Sequence, residues 1–321
     1  MKILQTVKKI PGGMMVVPLL LGALINTFFP QALEIGGFTT AMFKTGSSAI
    51  LGVFLLCNGA QINVKQAGLP LAKGTTILLG KVLTGTLLGI LVNHLFGPAG
   101  IIGITPLAII AAITNSNGGI YAALAGDYGD ATDVSVVSIV ALNDGPFFAM
   151  LAFGAAGLAD IPISALFATT IPIVIGFILG NLDEDMREFL APGASMLIPF
   201  FAFPLGANLN LGQLLVAGAP GILLGIACTI LTGLVGYSTY KVFKWKNPEV
   251  GAAIGTTAGN AIATPTALAA IDPSLETIAT QATAQVAAAI IVTAILCPIF
   301  VTWLHRKENK KNGNNVEVEY E

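Results

Sequence analysis

Two stretches of this chain, residues 82–126 and 189–240, contain no Asp, Glu, Lys or Arg. Segments that long without charge cannot form a water-facing surface, and shorter ones recur at 10–33, 45–64, 161–182, 250–271 and 277–304. A helix rises ~1.5 Å per residue and the hydrocarbon layer of a bilayer is ~30 Å thick, so about 20 apolar residues make one crossing. The two longest stretches exceed one crossing and must turn back, for which Gly97-Pro98 and the segment Asn208 to Gly212 supply breaks. Composition agrees, with 55% of residues hydrophobic and 10% charged, where a soluble domain carries about 25% charged residues. The pattern predicts an all-α polytopic membrane protein with ten transmembrane helices, at 11–29, 43–61, 70–95, 103–125, 134–156, 162–182, 194–209, 213–243, 249–270 and 276–303.

Ten crossings put both termini on one side. Of the 15 Lys and Arg residues, 13 then fall on segments or helix ends of that same side, leaving Lys44 outside and Lys81 within a span. The positive-inside rule makes that side the cytoplasm. Lys8 and Lys9 before an apolar run look like the start of a signal peptide, yet no small-residue cleavage site leads into a polar chain, so this segment reads as a retained first span. From His305 onward the chain is polar and reads as a disordered cytoplasmic tail.

A net charge of -2 without a basic stripe gives no sign of nucleic acid as a partner, and no obligate protein partner is evident. Cys57, Cys228 and Cys297 lie in apolar segments, match no metal or disulfide spacing, and read as small packing residues. Asp127, Asp130 and Asp133 have a spacing that can serve calcium, but the loop length and terminal Glu of that motif are absent, so they read as a solvated connector. No nucleophile–base pair or metal cluster stands out, and no enzyme activity or cofactor is expected.

The chain repeats itself. Val17-Pro18-Leu19-Leu20-Leu21-Gly22 returns as Ile171-Pro172-Ile173-Val174-Ile175-Gly176, Gly59-Ala60-Gln61-Ile62-Asn63-Val64 as Gly206-Ala207-Asn208-Leu209-Asn210-Leu211, and Ala67-Gly68-Leu69-Pro70 as Ala217-Gly218-Ala219-Pro220. The offsets are 154, 147 and 150 residues, in the same order along both halves. The expected units are therefore 1–156 and 157–304, followed by the tail 305–321. Five helices per unit is an odd number, so the second copy enters the membrane inverted, the usual construction of secondary transporters.

Two spans carry the marks of broken helices. The fourth contains Thr114-Asn115-Ser116-Asn117-Gly118-Gly119, and the ninth contains Gly255-Thr256-Thr257-Ala258-Gly259-Asn260-Ala261-Ile262-Ala263-Thr264-Pro265. Gly disfavours helix by entropy, Asn and Ser compete for backbone hydrogen bonds, and Pro removes a donor. Small residues also serve close helix packing. The other reading is a binding site at unwound backbone near the midplane, with Asn115, Ser116, Asn117, Gly118, Thr256, Thr257, Asn260 and Thr264 as its residues. A helix resuming after Gly119 would aim a positive end at the gap, which suits an anion. Lys81 and Asp144, the latter preceded by Asn143, fall near the middles of the third and fifth spans. Charges at that depth face a cavity or each other. Either the two form a buried ion pair, or Lys81 attracts a carboxylate while Asp144 carries a proton.

With Pro11-Gly12-Gly13-Met14, Gly59-Ala60-Gln61-Ile62, Asn115-Ser116-Asn117-Gly118-Gly119 and Asn143-Asp144-Gly145-Pro146 in view, the chain resembles the bacterial 2-keto-3-deoxygluconate permeases over residues 1 to 305. That family is in turn similar, more distantly, to the bile-acid sodium symporters. The resemblance implies a panel domain of spans 1, 2, 6 and 7, a core domain of spans 3–5 and 8–10, and a crossing of the broken fourth and ninth helices in the core. It implies a carrier of the bacterial inner membrane for a small-molecule sugar acid, 2-dehydro-3-deoxy-D-gluconate, taken up with protons. The sodium-coupled relatives line this crossing with acidic and amide residues. Here the ninth span offers Asn260 and Thr264 without a carboxylate, which favours H+ over Na+ as the coupling ion. A sodium-coupled organic-anion symporter is the nearest alternative. A channel, or an intramembrane enzyme using Lys81 and Asp144 as acid and base, is more remote.

Overall fold

The computed structural model describes residues 2–8, 13–63, 68–140, 143, 146–208 and 211–311. A short helix α1 (Ile3–Lys8) precedes α2 (Gly13–Phe28). Next come α3 (Gly37–Phe43) and α4 (Ser47–Gln61), bent by 60° where they join, and then α5 (Leu69–Phe96). α6 (Pro106–Ile113) and α7 (Gly118–Tyr128) meet at a 45° bend. The following segment is divided into α8 (Ala131–Ser135), α9 (Val137–Val140) and α10 (Phe147–Ala155). The second half has α11 (Ile163–Leu182), then α12 (Glu184–Leu190), α13 (Gly193–Met196) and α14 (Ile198–Gly206) in close succession, and the long α15 (Leu211–Val242). It closes with α16 (Pro248–Gly251), the 3-10 turns Ala252–Ile254 and Gly259–Ala263, α17 (Thr264–Ile271) and α18 (Glu276–Lys311).

The protein is all-helical, with no strand among the described residues, and it is an integral membrane protein. Among those residues five helical segments are long and apolar enough to cross a bilayer, and the two bent pairs bring the number to seven. The sequence reading counts ten. The difference lies in α2, only 16 residues long, and in the fifth and ninth segments, which are split into pieces too short to span alone. Large apolar side chains cover the outside. On α5, Leu83, Leu87, Leu91 and Leu95 are all exposed, one turn apart, and α11 exposes Phe167, Ile171, Val174 and Ile178. Apolar stripes of this length match lipid chains, not water.

The helices pack as two groups. α2 lies on α14 and α11 on α4, with α14 also touching α4; α5, α6, α15 and α18 pack among themselves, α15 chiefly on α18. Glycine brings the first group together. A Cβ on Gly22 would overlap the carbonyl oxygen of Phe203, and one on Gly206 the carbonyl of Leu19. The other pair repeats this: Gly176 faces the Leu56 carbonyl and Gly59 the Ile173 carbonyl. Each residue of the second set is a repeat partner of the first at the offsets read from sequence, Gly22 with Gly176 and Leu19 with Ile173 at 154, Gly59 with Gly206 and Leu56 with Phe203 at 147. Bare backbone against backbone lets dispersion contacts form along the whole crossing. We expect Gly176→Val to force α11 away from α4 and lower stability by about 1–3 kcal/mol, the usual range for overpacking. Gly52→Ala, on the same α4 but facing open space, should leave the melting temperature unchanged.

The C-terminal helix corrects one expectation. α18 continues to Lys311, through the first residues of the segment read as a disordered tail, while 312–321 lie outside the described residues. His305 pairs with Glu249 at 2.8 Å, Lys241 with Glu308 at 2.5 Å, and the Tyr237 hydroxyl donates to Glu308. These partners belong to α15 and α16, so residues distant in sequence hold the last turns in helical form.

Candidate functional site

The helix breaks fall where the sequence puts them. α6 stops at Ile113, and α7 starts at Gly118 with Asn117 as its cap, the Asn117 Oδ1 accepting the Ile120 N–H at 3.0 Å. Between them, residues 114–117 are unwound. Residues 255–258 are likewise unwound, between the two 3-10 turns of the second half. The breaks meet directly, the Asn117 N–H donating to Thr256 Oγ1 at 2.9 Å.

Unwound backbone in an apolar interior must find partners, and neighbouring spans supply them. Asn143 serves the first break. Its amide nitrogen donates to the Thr114 carbonyl at 3.1 Å and to Ser116 Oγ at 2.7 Å, and its Oδ1 accepts the Ser116 N–H at 3.3 Å. In the second break the Thr257 N–H donates to Thr293 Oγ1 at 3.0 Å. Thr293 stands 150 residues after Asn143, the same offset that relates other parts of the two halves. Asn143 is thus engaged with the break itself. Its neighbour Asp144, read from sequence as the proton carrier, lies outside the described residues.

Lys81 also serves the second break. Its ammonium donates to the carbonyls of Ile254 at 2.9 Å and Thr256 at 2.8 Å and to Thr232 Oγ1 at 3.2 Å, with Cys228 Sγ 3.8 Å away, and the side chain is 0% exposed. The sequence reading gives this charge a carboxylate to attract. In the structure the ammonium is engaged by the carbonyls of residues 254 and 256 and by the Thr232 hydroxyl.

Three polar side chains at the breaks are buried yet incompletely used. Asn260, 3% exposed, has no hydrogen-bond partner for either Oδ1 or Nδ2 among the described residues. Thr264 Oγ1 and Asn115 Oδ1 also lack one, although the Asn115 amide nitrogen donates to the Ala111 carbonyl at 3.0 Å. On α4, Asn58 Nδ2 is in the same position, a residue that the sequence reading did not single out. Buried polar atoms without partners are rare, and each calls for a reason. A cavity of about 180 Å³ lies beside the second break, lined by Met15, Leu19, Ile262, Ala287 and Ile290, and is almost wholly apolar. Its walls suit packing between α2 and α18 and offer nothing to a polar ligand. In this conformation Asn115, Ser116, Thr256, Thr257, Asn260 and Thr264 are all sealed from solvent.

A second polar cluster was missed because one of its members looked like loop. Asp133, read as part of a solvated connector, is fully buried. Its Oδ1 meets Lys73 Nζ at 2.5 Å and accepts the Tyr240 hydroxyl at 3.0 Å; its Oδ2 accepts Asn247 Nδ2 at 2.9 Å and the Asp130 N–H at 3.1 Å. Asp130 returns the bond, accepting the Asp133 N–H in a capping box at the start of α8. Burial pushes the Asp130 carboxyl up, but the Asp133 N–H and the Lys73 charge outweigh it and hold it below the usual carboxylate range.

A sequence model of 2-keto-3-deoxygluconate permease matches residues 4–310. The chain belongs to this family. A protein named 2-keto-3-deoxygluconate permease 1 from Salmonella typhimurium is 53% identical over 311 residues, covering 97% of this chain and 98% of its own. The 2-keto-3-deoxygluconate permeases of Bacillus subtilis and Xanthomonas axonopodis pv. citri are 41% and 38% identical, the first covering 97% of this chain and 96% of its own, the second 98% and 100%. The match runs through both breaks and all of the polar residues described above. A family of permeases does transport, and the residues of the crossing are to be read as parts of a carrier, not of an enzyme.

Proposed function

We propose that this chain is a secondary active transporter that takes up 2-dehydro-3-deoxy-D-gluconate together with protons by alternating access. The carrying observation is the crossing of two unwound segments where Asn260, Thr264 Oγ1 and Asn115 Oδ1 are buried without a hydrogen-bond partner among the described residues. Asn260 has both a donor and an acceptor to give, which is what a sugar hydroxyl needs. A sugar acid also brings a carboxylate, and α7, starting at Gly118, sets its positive dipole end at the break. Ser116, Asn117, Thr256 and Thr257 frame the same place through their backbone and hydroxyls.

In this reading the chain makes ten crossings as two inverted five-helix repeats. The exchanged glycine contacts and the matched roles of Asn143 and Thr293 support it. α2, α3, α4, α11 and α12–α14 make the panel domain, and the remaining spans the core, which carries the crossing. Both termini face the cytoplasm of a bacterial cell, a reading supported by the distribution of basic residues. Asp144 carries the coupling proton. Its neighbour in the chain, Asn143, binds the first break.

Vesicles containing the purified protein test this with labelled substrate and an imposed gradient of pH or of sodium. Accumulation should follow the pH gradient and ignore sodium. Asp144→Asn should abolish gradient-driven accumulation while leaving exchange of internal for external substrate. Full proton-driven uptake by that variant would remove Asp144 from coupling, and accumulation driven by sodium alone would replace proton symport with the sodium alternative.

A further inference from the structure

The oxygens around Lys81 are arranged to accept from an ammonium. An ammonium has three N–H bonds, and three oxygens accept them: the Ile254 carbonyl, the Thr256 carbonyl and Thr232 Oγ1. Neither carbonyl can donate. Thr232 cannot donate toward Lys81 either, because its hydroxyl proton is committed to the Cys228 carbonyl at 2.7 Å. A neutral amine would have only the Cys228 thiol, 3.8 Å away, to offer a hydrogen to its lone pair, so the three oxygens favour the ammonium.

Among the described residues no carboxylate reaches it; the salt bridges there involve Lys73, Arg187, Lys241 and His305. The charge is held by dipoles: two carbonyls freed by the break, one hydroxyl and the soft sulfur of Cys228. That donor set is one a monovalent cation takes in a dehydrated site, where oxygens replace its water shell. The rest of the side chain reaches this point from α5, a stem in an apolar surround with Ile77 and Cys228 buried nearby in the same bundle.

We propose that the Lys81 ammonium is a tethered monovalent cation occupying an oxygen-built cation site at the crossing, and that removing the side chain turns the position into a site for a free monovalent cation. The inference goes beyond the transport reading and does not depend on the substrate. It makes the positive charge a fixed part of the second break, so that the unwound stretch after Ile254 keeps its form without an ion drawn from solution.

The experiment uses the full-length protein purified in a neutral detergent. Melting temperature is followed against rising methylammonium, potassium or sodium chloride, with choline chloride as the control for ionic strength. The native chain should respond to none of them beyond the choline baseline. Lys81→Ala should melt several degrees lower and regain most of that loss saturably with at least one small cation, methylammonium being the nearest mimic of the missing head. Lys81→Met, which fills the space with an apolar stem, should stay low in every salt. If Lys81→Ala cannot be purified without a small cation, its recovery with and without one is the readout. A variant that is indifferent to all three cations, that follows choline equally, or that no cation recovers would overturn the proposal. Because no substrate is present, failure here is separate from any failure of the uptake assay.

Discussion

Asp133→Ala should lower the stability of the purified protein by about 3–5 kcal/mol, the range seen when one partner of a buried ion pair is removed. The carboxylate is 0% exposed and Lys73 1% exposed, so neither charge has water to fall back on. The loss is large because Asp133 sits where five elements converge: Lys73 from α5, Asp133 from α8, Tyr240 from α15, Asn247 just before α16, and Tyr121 from α7, whose hydroxyl lies 3.4 Å from that of Tyr240. Four groups lose their acceptor at once. Removing both charges in Lys73→Met with Asp133→Leu should cost much less than the sum of the two single changes, since no lone charge is left behind. Unfolding in mixed micelles, read by tryptophan fluorescence, measures all three. A single-variant loss below about 1 kcal/mol would mean that the pair does not hold these helices together.

The contrast between this cluster and the crossing shows what the residue order reveals. The breaks are local: Thr114 to Gly119 and Gly255 to Pro265 disfavour helix by their own composition, and the structure unwinds both. The long apolar runs are local in the same sense. Partnership is not local. Asp133 appears in the sequence beside Asp127 and Asp130, in company that suggests water, while its cation lies 60 residues upstream and Tyr240 and Asn247 lie more than 100 residues downstream. Lys81 is conspicuous as a charge within a span, yet its acceptors stand 151 to 175 residues away, and nothing near it in the chain names them. His305 looked like the start of a tail because its partner, Glu249, belongs to the entry of the ninth segment. Span count depends on a related point. Hydropathy sees one apolar window at 249–270, while the fold divides it into two short helices, two 3-10 turns and an unwound strip.

Asn260→Leu should move stability and binding in opposite directions. In the native chain the amide is buried with both polar atoms unpartnered among the described residues, and burying such a group costs roughly 1–3 kcal/mol. Leucine has nearly the same shape and no polar atoms, so the variant should melt at the same temperature or higher. Binding should fall by about fivefold or more, since a hydroxyl brought into the crossing would then meet hydrocarbon and lose a paired donor and acceptor, each worth about 0.5–1.5 kcal/mol net. Asn115→Leu should weaken binding too, but lower stability somewhat, because its amide nitrogen already holds the Ala111 carbonyl. The two variants therefore separate a side chain kept for the cargo from one that also supports the break. Affinity is read by titration of the sugar acid into detergent-solubilised protein, and stability by thermal melting of the same samples. Loss of both properties in Asn260→Leu would make that residue a structural element of the ninth segment. Unchanged affinity in both variants would take the cargo out of the crossing altogether, and with it the reason for keeping an unpaired amide in an apolar interior.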